Sequence, residues 1–176
     1  MAHERSTDIT HTENPDQRQY DWLYYNALLP HITGKVLVIG SGALQFAREY
    51  AKKEEVDSVT GLDKFTDNTK YEKITCIEWV CPEKLPLEMF DTIVSTEFVE
   101  HIEREQLEPL LEAIASRMTP NAKFVGSTPN KLVPTVNPYH LYEYTKDELH
   151  EILSKYFPKV ETYLVRSDCT VWICQK

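Results

Sequence analysis

No stretch of this 176-residue chain approaches the ~20 consecutive apolar residues that crossing a bilayer takes. The polar segment Met1 to Gln19 lacks the apolar core of a secretory signal, so the expected compartment is the cytoplasm. Cysteine offers neither a staple nor a metal clamp. Cys76, Cys81, Cys169 and Cys174 form no CxxC pair and no zinc-finger spacing with histidine, and read as free, partly buried thiols. Lys/Arg runs are also missing. With 19 basic against 28 acidic residues, the net charge is −9. Such a surface repels phosphate backbones and argues against an extended nucleic-acid footprint. There is no internal repeat, and the length suits one domain with a sizeable core rather than two.

The pattern along the chain is one of alternation. Residues 1–15 are polar, include Pro15, and are expected to form a flexible tail, leaving 16–176 as a single domain. Tyr20, Leu23, Tyr24, Ala27 and Leu28 recur with helical spacing inside Asp16 to Leu29, and Pro30 and Gly34 close that helix. KVLVIG then reads as a buried parallel strand, Gly40-Ser41-Gly42 as a tight turn, and Ala43 to Lys53 as a helix. Further strands are expected at Ser58 to Leu62, Ile74 to Val80, Phe90 to Ser95 and Lys123 to Ser127. Lys64 to Lys73 leaves room for only a short helix, and a proline-marked loop covers Cys81 to Glu88. Thr96 to Ile102 is expected to lead into a helix running to about Met118, followed by a turn at Thr119-Pro120-Asn121. After an aromatic-rich loop from Lys131 to Tyr144, Thr145 and Glu148 have capping-box spacing for a helix ending near Tyr156.

The last two strands, Val160 to Val165 and Thr170 to Cys174, are too closely joined for a parallel crossover and must pair antiparallel. The fold class expected is α/β: a Rossmann-like, seven-stranded, mostly parallel sheet with a C-terminal antiparallel hairpin and helices on both faces. Thr170 to Cys174 is expected to insert between the fifth strand and Val160 to Val165.

In such a sheet ligands bind beyond the carboxyl ends of the strands, where strand order reverses. Gly40 and Gly42 would let the backbone approach a ligand closely, and Asp63 could accept two hydrogen bonds from a ribose diol. An ordinary strand-to-helix turn and a helix cap are the bland alternatives. A nicotinamide enzyme would need a third small residue at position 45 to complete GxGxxG; Gln45 stands there.

Taken in order, VLVIGSG, GLDKF, FDTIVSTEFVEHI, STPN and YHLYEYTKDEL resemble the class I S-adenosylmethionine (SAM)-dependent methyltransferases over roughly residues 20–176. The resemblance implies SAM as cofactor. Gly40, Ser41 and Gly42 would line its methionine side, Asp63 would bind the ribose, and Cys81 and Pro82 would lie near the adenine. Ser95, Thr96 and Glu97 would lie below the sulfonium. Two positions depart from the family pattern: Val38 replaces the usual acidic residue two before the first glycine, and Cys81 replaces the common acidic contact to the adenine amine.

Glu97, Glu100 and His101 fall at i, i+3 and i+4, so a helix starting near Thr96 would put all three on one face at the carboxyl edge of the fourth strand. His140, in the loop after the fifth strand, should overhang the same edge. Two carboxylates and two imidazoles could hold a divalent cation, a candidate second cofactor. Glu97-x-x-Glu100-His101 resembles the cation motif of ubiquinone-pathway O-methyltransferases. With His140 it also resembles the metal site of small-RNA 2′-O-methyltransferases. Without a metal, the same residues would cap the helix and pack the lid, with His101 or His140 as base or substrate contact.

Tyr20, Trp22, Tyr24 and Tyr25, with Tyr139, Tyr142 and Tyr144, could enclose a planar or sugar-like substrate or simply serve as core. The expected activity is methyl transfer to oxygen or nitrogen of a small metabolite or glycan precursor. The alternatives are a SAM-binding regulatory protein without activity and a small-RNA 2′-O-methyltransferase. No long insertion follows the fifth strand, so the substrate pocket should be shallow, or completed by a partner protein or the second subunit of a homodimer.

Overall fold

The computed structural model describes residues 23–65, 71–133 and 137–176; the expected tail at 1–15, Tyr20 and Trp22 lie outside them. Residues 23–28 are helical (α1) and tighten into a 3₁₀ turn at Leu29–His31, with Pro30 at its start. Strand β1 (Gly34–Ile39) leads through the glycine turn to α2 (Gln45–Ala51) and β2 (Val56–Asp63). Strands β3 (Ile74–Glu78) and β4 (Phe90–Thr96) follow, then α3 (Arg104–Ser116) and β5 (Met118–Pro129). The chain closes with α4 (Lys146–Ser154), β6 (Lys159–Arg166) and β7 (Cys169–Gln175).

The sheet order is β3-β2-β1-β4-β5-β7-β6. Strands β1 to β5 run parallel, and β7 enters antiparallel between β5 and β6. The expected topology is therefore realised, including the inserted last strand. The order reverses between β1 and β4, which puts the ligand edge above their carboxyl ends.

Both faces are covered, and side-chain alternation assigns the partners. From β1, Val36 and Val38 join Tyr24, Tyr25, Leu28, Ala47 and Tyr50 under α1 and α2. Leu37 and Ile39 join Leu107, Leu111, Leu149 and Leu153 under α3 and α4. A strand buried on both sides needs the apolar run KVLVI rather than alternating polarity. Tyr25 stacks on Phe46 and Tyr50, with ring centroids 5.3 and 5.6 Å apart. The aromatic residues of α1 within the described chain, Tyr24 and Tyr25, thus serve as core.

Three local expectations are corrected. First, the helix does not begin near Thr96, the start that would have put Glu97, Glu100 and His101 on one face. A 3₁₀ turn at Val99–His101 is followed by extended Ile102 and Glu103 before α3 begins. The carbonyl of Glu100 accepts from the N–H groups of Leu141 and Tyr142, at 2.7 and 3.3 Å. Helix is restarted by a capping box, in which the Glu103 side chain takes the N3 amide and Gln106 takes the Glu103 amide. Second, Thr119-Pro120-Asn121 is a bulge inside β5. Asn121 is left-handed at φ +68°, and the pairing with β4 shifts register there. Third, α4 stops at Ser154 rather than near Tyr156, although its Thr145–Glu148 capping box forms as expected.

Candidate functional site

The glycine turn is fixed by backbone bonds to β2. The amides of Gly40 and Ser41 both donate to the Leu62 carbonyl at 2.9 Å. Gly40 has φ +73°, and a Cβ there would lie 2.5 Å from Phe98 Cδ2. This position therefore requires glycine twice over, for conformation and for space. Gly42 has φ +52°, and a Cβ there would meet nothing within 4 Å, so its backbone faces open space. Its amide donates to Asp63 Oδ2 at 2.8 Å, while Phe65 N–H donates to Asp63 Oδ1 at 3.1 Å. Asp63 is buried and fixed in rotamer by its two amide donors. A carboxylate carries about four lone-pair sites, more than these two amide donors occupy.

A cavity of about 270 Å³ is lined by Asp63, Phe65, Trp79, Val80 and Cys81 and by Phe98, His101, Ile102, Tyr139 and Leu141. Its walls are chiefly apolar and aromatic, with the few polar groups at defined points. Burial pushes the Cys81 thiol up to about 11, so it faces the cavity as a neutral group at ordinary pH. Pro82 follows it through a cis peptide bond and is exposed. Ser95 is buried beneath the edge, and Thr96 and Glu97 are half-buried at the end of β4.

The expected carboxylate–histidine cluster forms in part. Glu100, His101 and His140 bring one ligand atom each to within 4.8 Å of one another. The imidazoles of His101 and His140 meet edge to face at 4.9 Å. Glu100 is fully buried; its Oε2 accepts from Thr128 Oγ1 at 2.9 Å and its Oε1 lies 3.6 Å from His101 Nε2. His101 Nδ1 meets the Tyr139 carbonyl at 3.0 Å, and since a carbonyl only accepts, Nδ1 carries the proton. His140 Nδ1 meets Glu143 Oε1 at 2.7 Å in the same sense. Both rings thereby present Nε2 to the cluster. Such outer partners fix the tautomer and orientation of metal-binding or basic histidines.

Glu97 lies apart from this group. Its backbone is left-handed at φ +49°, a conformation that costs a non-glycine residue about 1–2 kcal/mol. Its amide donates to the Ser127 carbonyl at 2.9 Å, and its Oε1 accepts from Ser127 Oγ at 2.8 Å. Neighbouring residues of one strand point to opposite faces. Ser127 therefore holds Glu97 toward the α1/α2 face, whereas Thr128 holds Glu100 toward α3 and α4. The shared helical face expected for Glu97, Glu100 and His101 does not exist, because the segment is not a helix.

Two participants escaped the sequence reading. Glu143 orients His140 from three residues away, a spacing that the loop does not advertise as helical. Phe98 floors the cavity and closes over Gly40; its only signal was its place beside Glu97. Tyr144 is wholly buried, and Tyr139 and Leu141 line the cavity. Tyr142 sits outside its lining, sandwiched by Arg104 and Lys131 at 4.7 and 4.4 Å from the ring centroid.

Solved structures share this architecture from end to end. DhpI in complex with SAM and HEP superposes with a TM-score of 0.78 at 15% identity, covering 98% of this chain and 92% of that one. A SAM-dependent methyltransferase from Archaeoglobus fulgidus gives 0.77 at 17% identity, covering 98% and 100%. The N-methyltransferase NodS from Bradyrhizobium japonicum WM9, in complex with S-adenosylhomocysteine (SAH), gives 0.73 at 15%, covering 98% and 93%. The chain has the class I methyltransferase fold. No family model matches the sequence, and no curated protein does.

Proposed function

We propose that this chain binds SAM and transfers its methyl group to an oxygen or nitrogen of a small metabolite or glycan precursor. The observation that carries the reading is a single cavity lined by both the pinned carboxylate of Asp63 and the anchored imidazole of His101. Among the described residues the chemistry fits each part of the cofactor. Asp63 suits a ribose diol, and the Phe65, Trp79, Val80 and Cys81 walls suit a flat, apolar adenine. The open backbone at Gly42 leaves room for the amino-acid tail beside the glycine turn. DhpI and NodS, which share the fold, are SAM- and SAH-bound proteins, the second an N-methyltransferase.

SAM supplies an electrophilic methyl carbon when bound. The residues of this chain then have three tasks: to hold the donor in line with the acceptor, to exclude water with the apolar walls, and to receive the acceptor's proton. His140 Nε2 is the proposed proton acceptor, because Glu143 at Nδ1 stabilises the imidazolium that would form. Glu100, His101 and His140 also match the donor set of a divalent cation, with Nε2 atoms presented and Nδ1 atoms anchored. Such a cation, when bound, would lower the pKa of an acceptor hydroxyl. The same trio keeps a small-RNA acceptor as the second reading, against which the −9 charge stands.

Calorimetry with SAH tests the cofactor, and a screen of hydroxyl and amine acceptors tests transfer. Asp63→Ala should weaken SAH binding by roughly 1–3 kcal/mol, the scale of a lost buried polar partner. Absence of any SAH binding by the wild-type protein would overturn the reading. Binding with no transfer to any acceptor class would instead leave the non-catalytic SAM-binding protein.

A further inference from the structure

We propose that Glu97 is the counter-ion for the α-ammonium group of the cofactor's amino-acid tail, rather than a member of the metal or proton-transfer cluster. The inference rests on the SAM-binding reading and adds a specificity-determining residue to it.

An α-ammonium taken into a half-buried site needs a carboxylate or several carbonyls to replace its water. Among the described residues, three acidic side chains stand at the carboxyl edges of the central strands. Asp63 closes β2 and lines the cavity, tied to Gly42 and Phe65. Glu100 is fully buried among Thr128, His101 and His140. Glu97 alone is both partly accessible and turned toward the α1/α2 face, by way of Ser127.

Register places it beside the glycine turn. Ile39 pairs with Ser95 and Thr96 with Ser127, so Gly40, Thr96 and Ser127 occupy one row across β1, β4 and β5. The row beneath on that same face is Val38, Val94 and Val125, all buried and apolar. No carboxylate can therefore reach the turn from the end of β1. Phe98, the next residue after Glu97, packs directly on Gly40 and keeps the segment close to the turn. The left-handed backbone at Glu97 is what sends its side chain across to Ser127 instead of along the 3₁₀ turn toward Glu100. Strained backbone that its surroundings hold in place clusters at active sites and ligand clamps, where it pre-organises a binding group.

The test compares SAH with its deaminated analogue, which keeps the nucleoside, thioether and carboxylate and lacks only the ammonium. Wild-type protein should bind SAH more tightly than the analogue. In Glu97→Gln, SAH affinity should fall about tenfold or more, as for a lost charge-assisted hydrogen bond, while analogue affinity stays within about twofold. Ser127→Ala, which frees the carboxylate without removing it, should give a smaller loss confined to SAH. Each variant is first melted without ligand to establish that it folds. Equal losses for the two ligands in Glu97→Gln, or no loss for SAH, would overturn the proposal. Wild-type protein that binds neither ligand would overturn the cofactor reading itself, a separate result.

Discussion

The two sides of the candidate site are built on different principles. The cofactor side is made of backbone: strand ends, the glycine turn, and amides donating to Leu62 and Asp63. The histidine side is made of contacts between two irregular segments, with His101 Nδ1 reaching Tyr139 across 38 positions of sequence and Leu141 N–H reaching the Glu100 carbonyl. Damage to the first should act through conformation and spread to stability. Damage to the second should act through chemistry and leave the fold standing.

The sharpest way to break that comparison is at Gly40. Gly40→Ala combines a left-handed φ with a Cβ against Phe98, and should cost roughly 2–4 kcal/mol of stability together with SAH binding. Gly42→Ala carries the φ penalty without the collision and should cost only about 1–2 kcal/mol. Thermal melts with and without SAH separate the two. Equal effects at both positions would mean that Phe98 yields easily and that the turn is less rigid than its hydrogen bonds indicate.

On the histidine side, Glu143→Gln should leave the melting temperature nearly unchanged, because the pair lies in a loop rather than in either core. If the trio holds a cation, affinity for it should drop about 10–100-fold, the usual cost of losing a histidine's outer partner. Titration with Mg, Mn and Zn ions reads this directly. Activity fully retained in chelator would remove the metal and leave His140 as the base. In that case Glu143→Gln should instead lower the rate of methyl transfer with SAH affinity unchanged, because the imidazolium formed at His140 loses its carboxylate partner.

The same division governs what was legible in the sequence. Strand order, the antiparallel insertion and the α4 cap followed from apolar runs, short connections and a Thr-x-x-Glu pattern, all of them local signals. Asp63 and the two glycines were legible because strand ends carry them to one edge. The segment after β4 was misread because Glu97, Glu100 and His101 have helical spacing, while the Glu100 carbonyl is claimed by Leu141 and Tyr142, more than thirty residues away. Glu143 was missed for a related reason: its importance comes from where His140 lands, which loop sequence does not encode by period. The bulge at Asn121 hid behind a tripeptide with every feature of a turn, and only the pairing of both flanks with β4 makes it part of a strand.

The smallest effect is expected at Cys81, on the cofactor side but carried by a side chain. Burial pushes its thiol from an ordinary value of 9.0 up to about 11, so it remains neutral throughout pH 6–9. Cys81→Ser keeps a small neutral group in the same wall and should change SAH affinity by less than about 1 kcal/mol, with no pH dependence added in that range. Stability has a defined sign. Below pH 9 the thiol is protonated in both folded and unfolded chains and makes no difference. Between about pH 9 and 11 only the unfolded chain releases the proton, so wild-type stability should fall there. The buried Cys174 thiol, also raised by burial, adds a loss of the same sign, so the informative quantity is the difference between wild type and Cys81→Ser. Denaturant melts at pH 8, 9 and 10 should show the wild type losing more than the variant as pH rises. Parallel curves would mean that water reaches Cys81 freely, and that the cavity wall beside it is more open than the packing of Trp79 and Phe98 implies.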